Sequence, residues 1–115
     1  QANKIGSFFK VNNILIDKIY SSEWCRCKET SLIAFNKFEN KSFLNSFFSS
    51  KFAQNKEPQI KKLKKFINSW DGEKNLVFVT HYVVISEILN YGPSSGEIVI
   101  SDKNLNVIDT FEIEY

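Results

Sequence analysis

The sequence has a single histidine, His81, two cysteines and no methionine. So few soft ligands leave little to build a metal centre from. Cys25 and Cys27 supply two of the four ligands that a structural zinc site needs, and His81 is far from them in sequence. On a helix an i,i+2 pair faces apart, so a disulfide between the two cysteines would be strained as well. Long apolar runs are also missing: none reaches the roughly 18 residues that cross a bilayer. The opening QANKIGSFF has no basic stretch followed by an apolar one, so no secretory leader is legible. Without an initiator Met, and opening in mid-pattern, the first residues read as the cut edge of a longer helix. The missing leader therefore carries no information about the parent protein. Charge of one sign is not in excess either. Fifteen basic against 13 acidic residues give +2, too even a balance to imply a nucleic-acid partner. The unpaired cysteines fit a reducing, cytoplasmic compartment.

What is present reads as one domain covering residues 1–115, with no repeats and no linker. Ala2, Ile5, Phe8 and Phe9 keep helical spacing over residues 1–11, and Asn12-Asn13 closes the helix. A buried strand follows and ends at Ser21. Ser22 caps a helix over residues 23–38 whose stripe is Trp24, Cys27, Ser31, Ala34, Phe35 and Phe38. Residues 39–56 are rich in Asn, Ser, Lys and Phe without regular period, and are expected to form a loop with short helical turns that lids the domain or its pocket. The next helix starts at Glu57-Pro58, with Ile60, Leu63, Phe66, Ile67 and Trp70 inward. The lysines of KKLKK fall on its solvated faces. Residues 75–80 are short, continuous and apolar, the pattern of a fully buried strand in a parallel sheet. A helix over residues 81–91, a break at Gly92-Pro93-Ser94-Ser95-Gly96, and strands at 97–101 and 106–113 complete the chain. The expected fold is α/β: a three-layer α/β/α sandwich with a mostly parallel sheet and a C-terminal hairpin.

Two residues fall where open α/β sheets collect ligands, just beyond the carboxyl ends of strands. Arg26 lies in the first turn of the helix after Ser21, and His81 directly follows the strand ending at Thr80. A guanidinium fork, an imidazole and the free N–H groups of a helix start suit a phosphoryl group.

Here the residues carry a resemblance. Ser21-Ser22-Glu23-Trp24-Cys25-Arg26-Cys27-Lys28-Glu29-Thr30 resembles the histidine phosphatase segment in which a strand ends in two serines and an Arg and a Thr follow. Val77-Phe78-Val79-Thr80-His81 resembles the apolar strand that delivers that family's second pocket histidine. Pro93-Ser94-Ser95-Gly96-Glu97-Ile98-Val99 is similar to the turn and strand that come next, and Gln1-Ala2 with Ile5-Gly6 to the first helix. The four segments, in order, span nearly the whole chain.

The resemblance implies a phosphoglycerate mutase-like fold and a phosphomonoesterase that needs no metal or other cofactor. It makes His81 and Arg26 phosphate-pocket residues and Ser22, Ser95 and Gly96 substrate contacts. The expected substrate is a phosphorylated small molecule or a phosphoprotein, with no nucleic-acid or membrane partner. The family's nucleophile belongs to an Arg-His-Gly segment at the end of a first strand that these residues do not contain. The chain is therefore expected to be inactive alone, and to lose sheet neighbours where that strand belongs. Glu39 and Glu97 are the candidate general acids, and neither sits in a family motif. The competing reading is a non-catalytic phosphate-binding or protein-interaction module with the same fold.

Overall fold

A computed structural model of the chain describes residues 2–49, 51–94 and 96–112. Helix α1 (Ala2–Val11) lays Gly6 against helix α2 (Cys25–Phe35) so closely that a Cβ on Gly6 would overlap the Ala34 carbonyl oxygen and lie 3.1 Å from its carbon. Phe9 meets Phe35 edge-on at 5.1 Å. Asn13, at φ 51, takes the left-handed turn that ends α1. Helix α2 is shorter than residues 23–38. Trp24, in extended geometry, is its N-cap, and Asn36 closes it at φ 66 with its N–H on the Leu32 carbonyl. Ser22 is thus not the N-cap: the strand ends at Ser21 as expected, and a bend at Glu23 and Trp24 delays the helix to Cys25.

Three strands form a parallel sheet in the order β2-β1-β3: β1 (Ile16–Ser21), β2 (Glu39–Asn40) and β3 (Asn75–Val79). The central strand buries Ile19, Tyr20 and Ser21. Strand β2 has no apolar residue to announce it. It exists because Tyr20 and Ser21 present an open backbone edge, and the Lys41 N–H extends the ladder to the Ser21 carbonyl at 2.9 Å. Of the two places expected for the lid over residues 39–56, the domain or its pocket, the structure favours the domain. The lid's 3-10 turns are present at Ser42–Leu44 and Ala53–Asn55, and Phe43, Leu44 and Phe47 drive into the core rather than over a pocket.

That core also takes Ile60 and Leu63 of helix α3 (Lys56–Asn68) and Val84 of helix α4 (Tyr82–Leu89), all around Tyr20. Lys61, Lys62, Lys64 and Lys65 are exposed, as the amphipathic pattern requires. Strand β3 is only half-buried, where full burial was expected. It pairs with β1 on one side and forms the sheet's edge on the other.

The last two strands, β4 (Glu97–Ser101) and β5 (Val107–Glu112), form an antiparallel hairpin separate from the three-stranded sheet. The Asp102 carboxylate organises its turn by accepting the N–H groups of Asn104 and Asn106, each at 2.9 Å. Phe111 rests on Phe8 of α1 at 5.1 Å. The architecture is an α/β domain: helices around a small parallel sheet, with an added hairpin. No helix among the described residues is long and apolar enough to cross a membrane.

Candidate functional site: the shared start of two helices

The parallel pairing of β1 with β3 brings their carboxyl ends side by side, with Ser21 opposite Val79. The chain leaves each end through the N-cap residue of a helix, Trp24 for α2 and His81 for α4. The two N-cap rings touch, with centroids 4.8 Å apart at 66°. Neither side chain caps its helix. The N–H groups of Cys25, Arg26 and Cys27 therefore have no acceptor among the described residues.

Ser22 joins the two ends directly. Its Oγ, fully buried, lies 2.9 Å from His81 Nε2. It also donates to Asn45 Oδ1 at 3.0 Å and accepts the Trp24 N–H at 3.1 Å. Asn45 Oδ1 takes the Glu23 N–H at 2.8 Å as well, and its amide donates to Glu23 Oε1 at 2.9 Å. This network fixes the tautomer. A hydroxyl has one proton, and here Asn45 takes it. Flipping the Asn45 amide would set its NH₂ against the Glu23 N–H and its oxygen against a carboxylate. His81 Nε2 must therefore be the donor to Ser22, which leaves Nδ1 as the ring's free nitrogen.

Cys27 lies on the same imidazole, with Sγ 3.7 Å from Nε2 and 3.7 Å from the Thr80 carbonyl. Burial pushes its thiol pKa up, outweighing the Ser22 hydrogen bond and the nearby Arg26 charge, which both favour thiolate. Burial pulls the His81 pKa below its ordinary value of 6.5. Both groups are thus neutral near pH 7, so Cys27 and His81 are not a thiolate–imidazolium nucleophile. Ser22 is no nucleophile either, since its proton is committed and its oxygen has no exposure. What remains chemically is an uncapped helix start, with unpaired amides and the positive end of the helix suited to an anion, beside an imidazole whose free Nδ1 becomes a donor only when protonated.

The other expected residues fall as follows. Arg26 is in the first turn of α2, exposed, with no ion pair or hydrogen bond among the described residues. Glu39 lies in β2 with its carboxylate 3.8 Å from Lys18 Nζ. Glu97 opens β4, where it accepts the Tyr91 hydroxyl at 2.5 Å and the Ser94 N–H at 2.8 Å. Those bonds, the Tyr91 one foremost, lower its pKa and hold it ionised, the wrong state for a general acid. Neither carboxylate shares a hydrogen bond with the His81 network. Gly96, at φ 80, makes the turn into β4, and Ser95 lies outside the described residues. Two open surface clefts, of about 270 Å³ beside Asp17 and Trp70 and about 300 Å³ along α3, include neither His81 nor Arg26. No group of three or more metal-type side chains occurs among the described residues.

Comparison with protein-family models, with curated proteins and with solved structures gives no match.

Sequence reasoning missed Asn45, which sits in a stretch without period, and counted Trp24 and Cys27 as helix stripe. Only the polar run after Ser21 hinted at a network there.

Proposed function

We propose that this chain carries the phosphate-binding part of a histidine-phosphatase-type phosphomonoesterase, with a phosphoglycerate mutase-like α/β/α sandwich. The carrying observation is the bridge from Ser22 to His81, which gathers the only imidazole, an uncapped helix start and the Arg26 turn at the ends of adjacent parallel strands. In open α/β sheets that is the place where phosphate groups bind. The sheet itself also favours this reading. Leu76, Val77, Phe78 and Val79 of β3 and Ile98, Val99 and Ile100 of β4 are apolar yet only half-buried, and each strand has one edge without a partner among the described residues. A further strand pairing with that edge of β3 would cover its side chains and enlarge the parallel sheet.

In this reading the nucleophile is a histidine outside these 115 residues. Its neutral imidazole attacks phosphorus in line, the P–O bond to the alcohol breaks, and the alcohol leaves with a proton from a general acid. Water then attacks the phosphohistidine and releases phosphate. Arg26, the α2 amides and His81 stabilise the charge on the equatorial oxygens. Burial keeps His81 neutral near pH 7, and an arriving phosphoryl dianion raises its pKa so that it takes a proton as charge gathers. The substrate is a phosphorylated small molecule or a phosphoprotein.

The single histidine favours a second reading for the chain by itself, a phosphate-binding module without chemistry. Assays separate the two. The 115-residue chain should not hydrolyse p-nitrophenyl phosphate. A longer chain that adds an upstream strand ending in Arg-His should, and should lose activity when that histidine becomes Ala. Turnover by the 115-residue chain that His81→Ala abolishes would refute the assignment of an external nucleophile.

A further inference from the structure

Trp24 breaks a local rule. N-cap positions favour Ser, Thr, Asp or Asn, because a short polar side chain satisfies one of the free N–H groups. Trp24 makes no such bond and leaves the first turn of α2 open. Its ring instead sits against His81 at 4.8 Å and remains 41% exposed. Phe52 follows at 6.1 Å from the Trp24 ring and at 63° to it, so the two make a corner. The Lys51 ammonium lies over the Phe52 ring at 5.5 Å. The ring gains contact with His81 and Phe52 in place of a cap, and this sets a partly exposed aromatic side chain beside the open first turn of α2.

An anion held by the α2 amides and His81 would carry its ester group past this corner. A sugar or polyol there would need several hydrogen-bonding side chains, and the two rings supply almost none. A flat aromatic group needs only a π face and an edge. We propose that Trp24, with Phe52, is a specificity-determining wall that selects phosphomonoesters of aromatic alcohols over those of aliphatic ones. This inference rests on the phosphate-site reading above and names the substrate class of that site.

The test measures binding, so it needs no nucleophile. The 115-residue chain is titrated with inorganic phosphate, methyl phosphate and phenyl phosphate, by calorimetry and by the amide shifts of the α2 first turn. Phenyl phosphate should bind roughly 3- to 10-fold more tightly than methyl phosphate, the range expected for one aromatic pair. Trp24→Leu should bring that ratio close to one, and Trp24→Tyr should restore most of it; reading the ratio removes any general change in phosphate affinity. Phe52→Leu should lower the ratio partway. Equal binding of the two esters by a wild-type chain that does bind phosphate would overturn the aromatic preference and leave the phosphate site standing. Failure to bind any of the three would overturn both.

Discussion

Asn45→Ala is the perturbation with the most specific consequence. The side chain accepts from Ser22 Oγ and the Glu23 N–H and donates to Glu23 Oε1. Hydrogen bonds contribute about 0.5–1.5 kcal/mol each, and the two on exposed Glu23 belong at the low end because water replaces Asn45 there. The Ser22 bond matters more, since that hydroxyl is fully buried. Its proton does not stay orphaned, however. It can turn to another acceptor within reach, His81 Nε2, if the ring gives up its own proton there and takes one on Nδ1. The expected loss is therefore about 1–2 kcal/mol rather than the sum of three bonds plus a buried unsatisfied group. Urea unfolding should show a lower midpoint with unchanged slope. Nitrogen NMR at about pH 8, above the ordinary His value of 6.5, should find His81 as the Nε2–H tautomer in the wild type and mainly Nδ1–H in the variant. A wild-type ring protonated on Nδ1, or a tautomer indifferent to Asn45, would refute the network argument.

Other consequences are as direct. Gly6→Ala should destabilise by about 1–3 kcal/mol through collision with the Ala34 carbonyl, even though Ala gains about 1 kcal/mol of helix propensity over Gly; thermal melts that rise instead would mean the two helices separate freely. Ser31→Ala should raise stability by up to about 1 kcal/mol in chemical unfolding, because the buried Ser31 hydroxyl has no partner among the described residues. His81 binds its proton less readily folded than unfolded, so its contribution to stability is complete above pH 6.5 and is lost as pH falls through its lower folded value. As the only histidine, it should dominate the slope of unfolding free energy between about pH 5.5 and 7, and His81→Asn should flatten that slope. An unchanged slope would show that the ring is not desolvated.

Much of the fold was legible because its segments are locally consistent. The stripe of α3 from Ile60 to Ile67, the break before β4 and the Asp102 turn each combine period with turn chemistry and appear where the pattern puts them, while Trp70 falls past the helix end at Asn68. Strand β2 was not legible, since Glu39 and Asn40 are strand residues only by virtue of the edge that β1 offers them. Phe43, Leu44 and Phe47 were legible as too apolar for a solvated loop, but not as core, because irregular segments bury side chains without a period to read. In the site, His81 and Ser22 were visible as strand-end residues, and the structure joins them at 2.9 Å. Asn45 reaches that pair from 23 residues beyond Ser22, and no spacing rule connects them. The depressed His81 pKa was equally invisible, as it depends on burial by Trp24 and Cys27 rather than on any residue next to it in sequence.

The central claim is that the joined starts of α2 and α4 form an anion site. It is tested most directly by titrating the isotopically labelled chain with inorganic phosphate at constant ionic strength, following every amide and the His81 ring. The account predicts saturable shifts confined to Cys25, Arg26, Cys27 and their neighbours, with a concurrent rise in the His81 pKa. Shifts that never saturate, or that gather on the α3 lysines and leave His81 untouched, would contradict it.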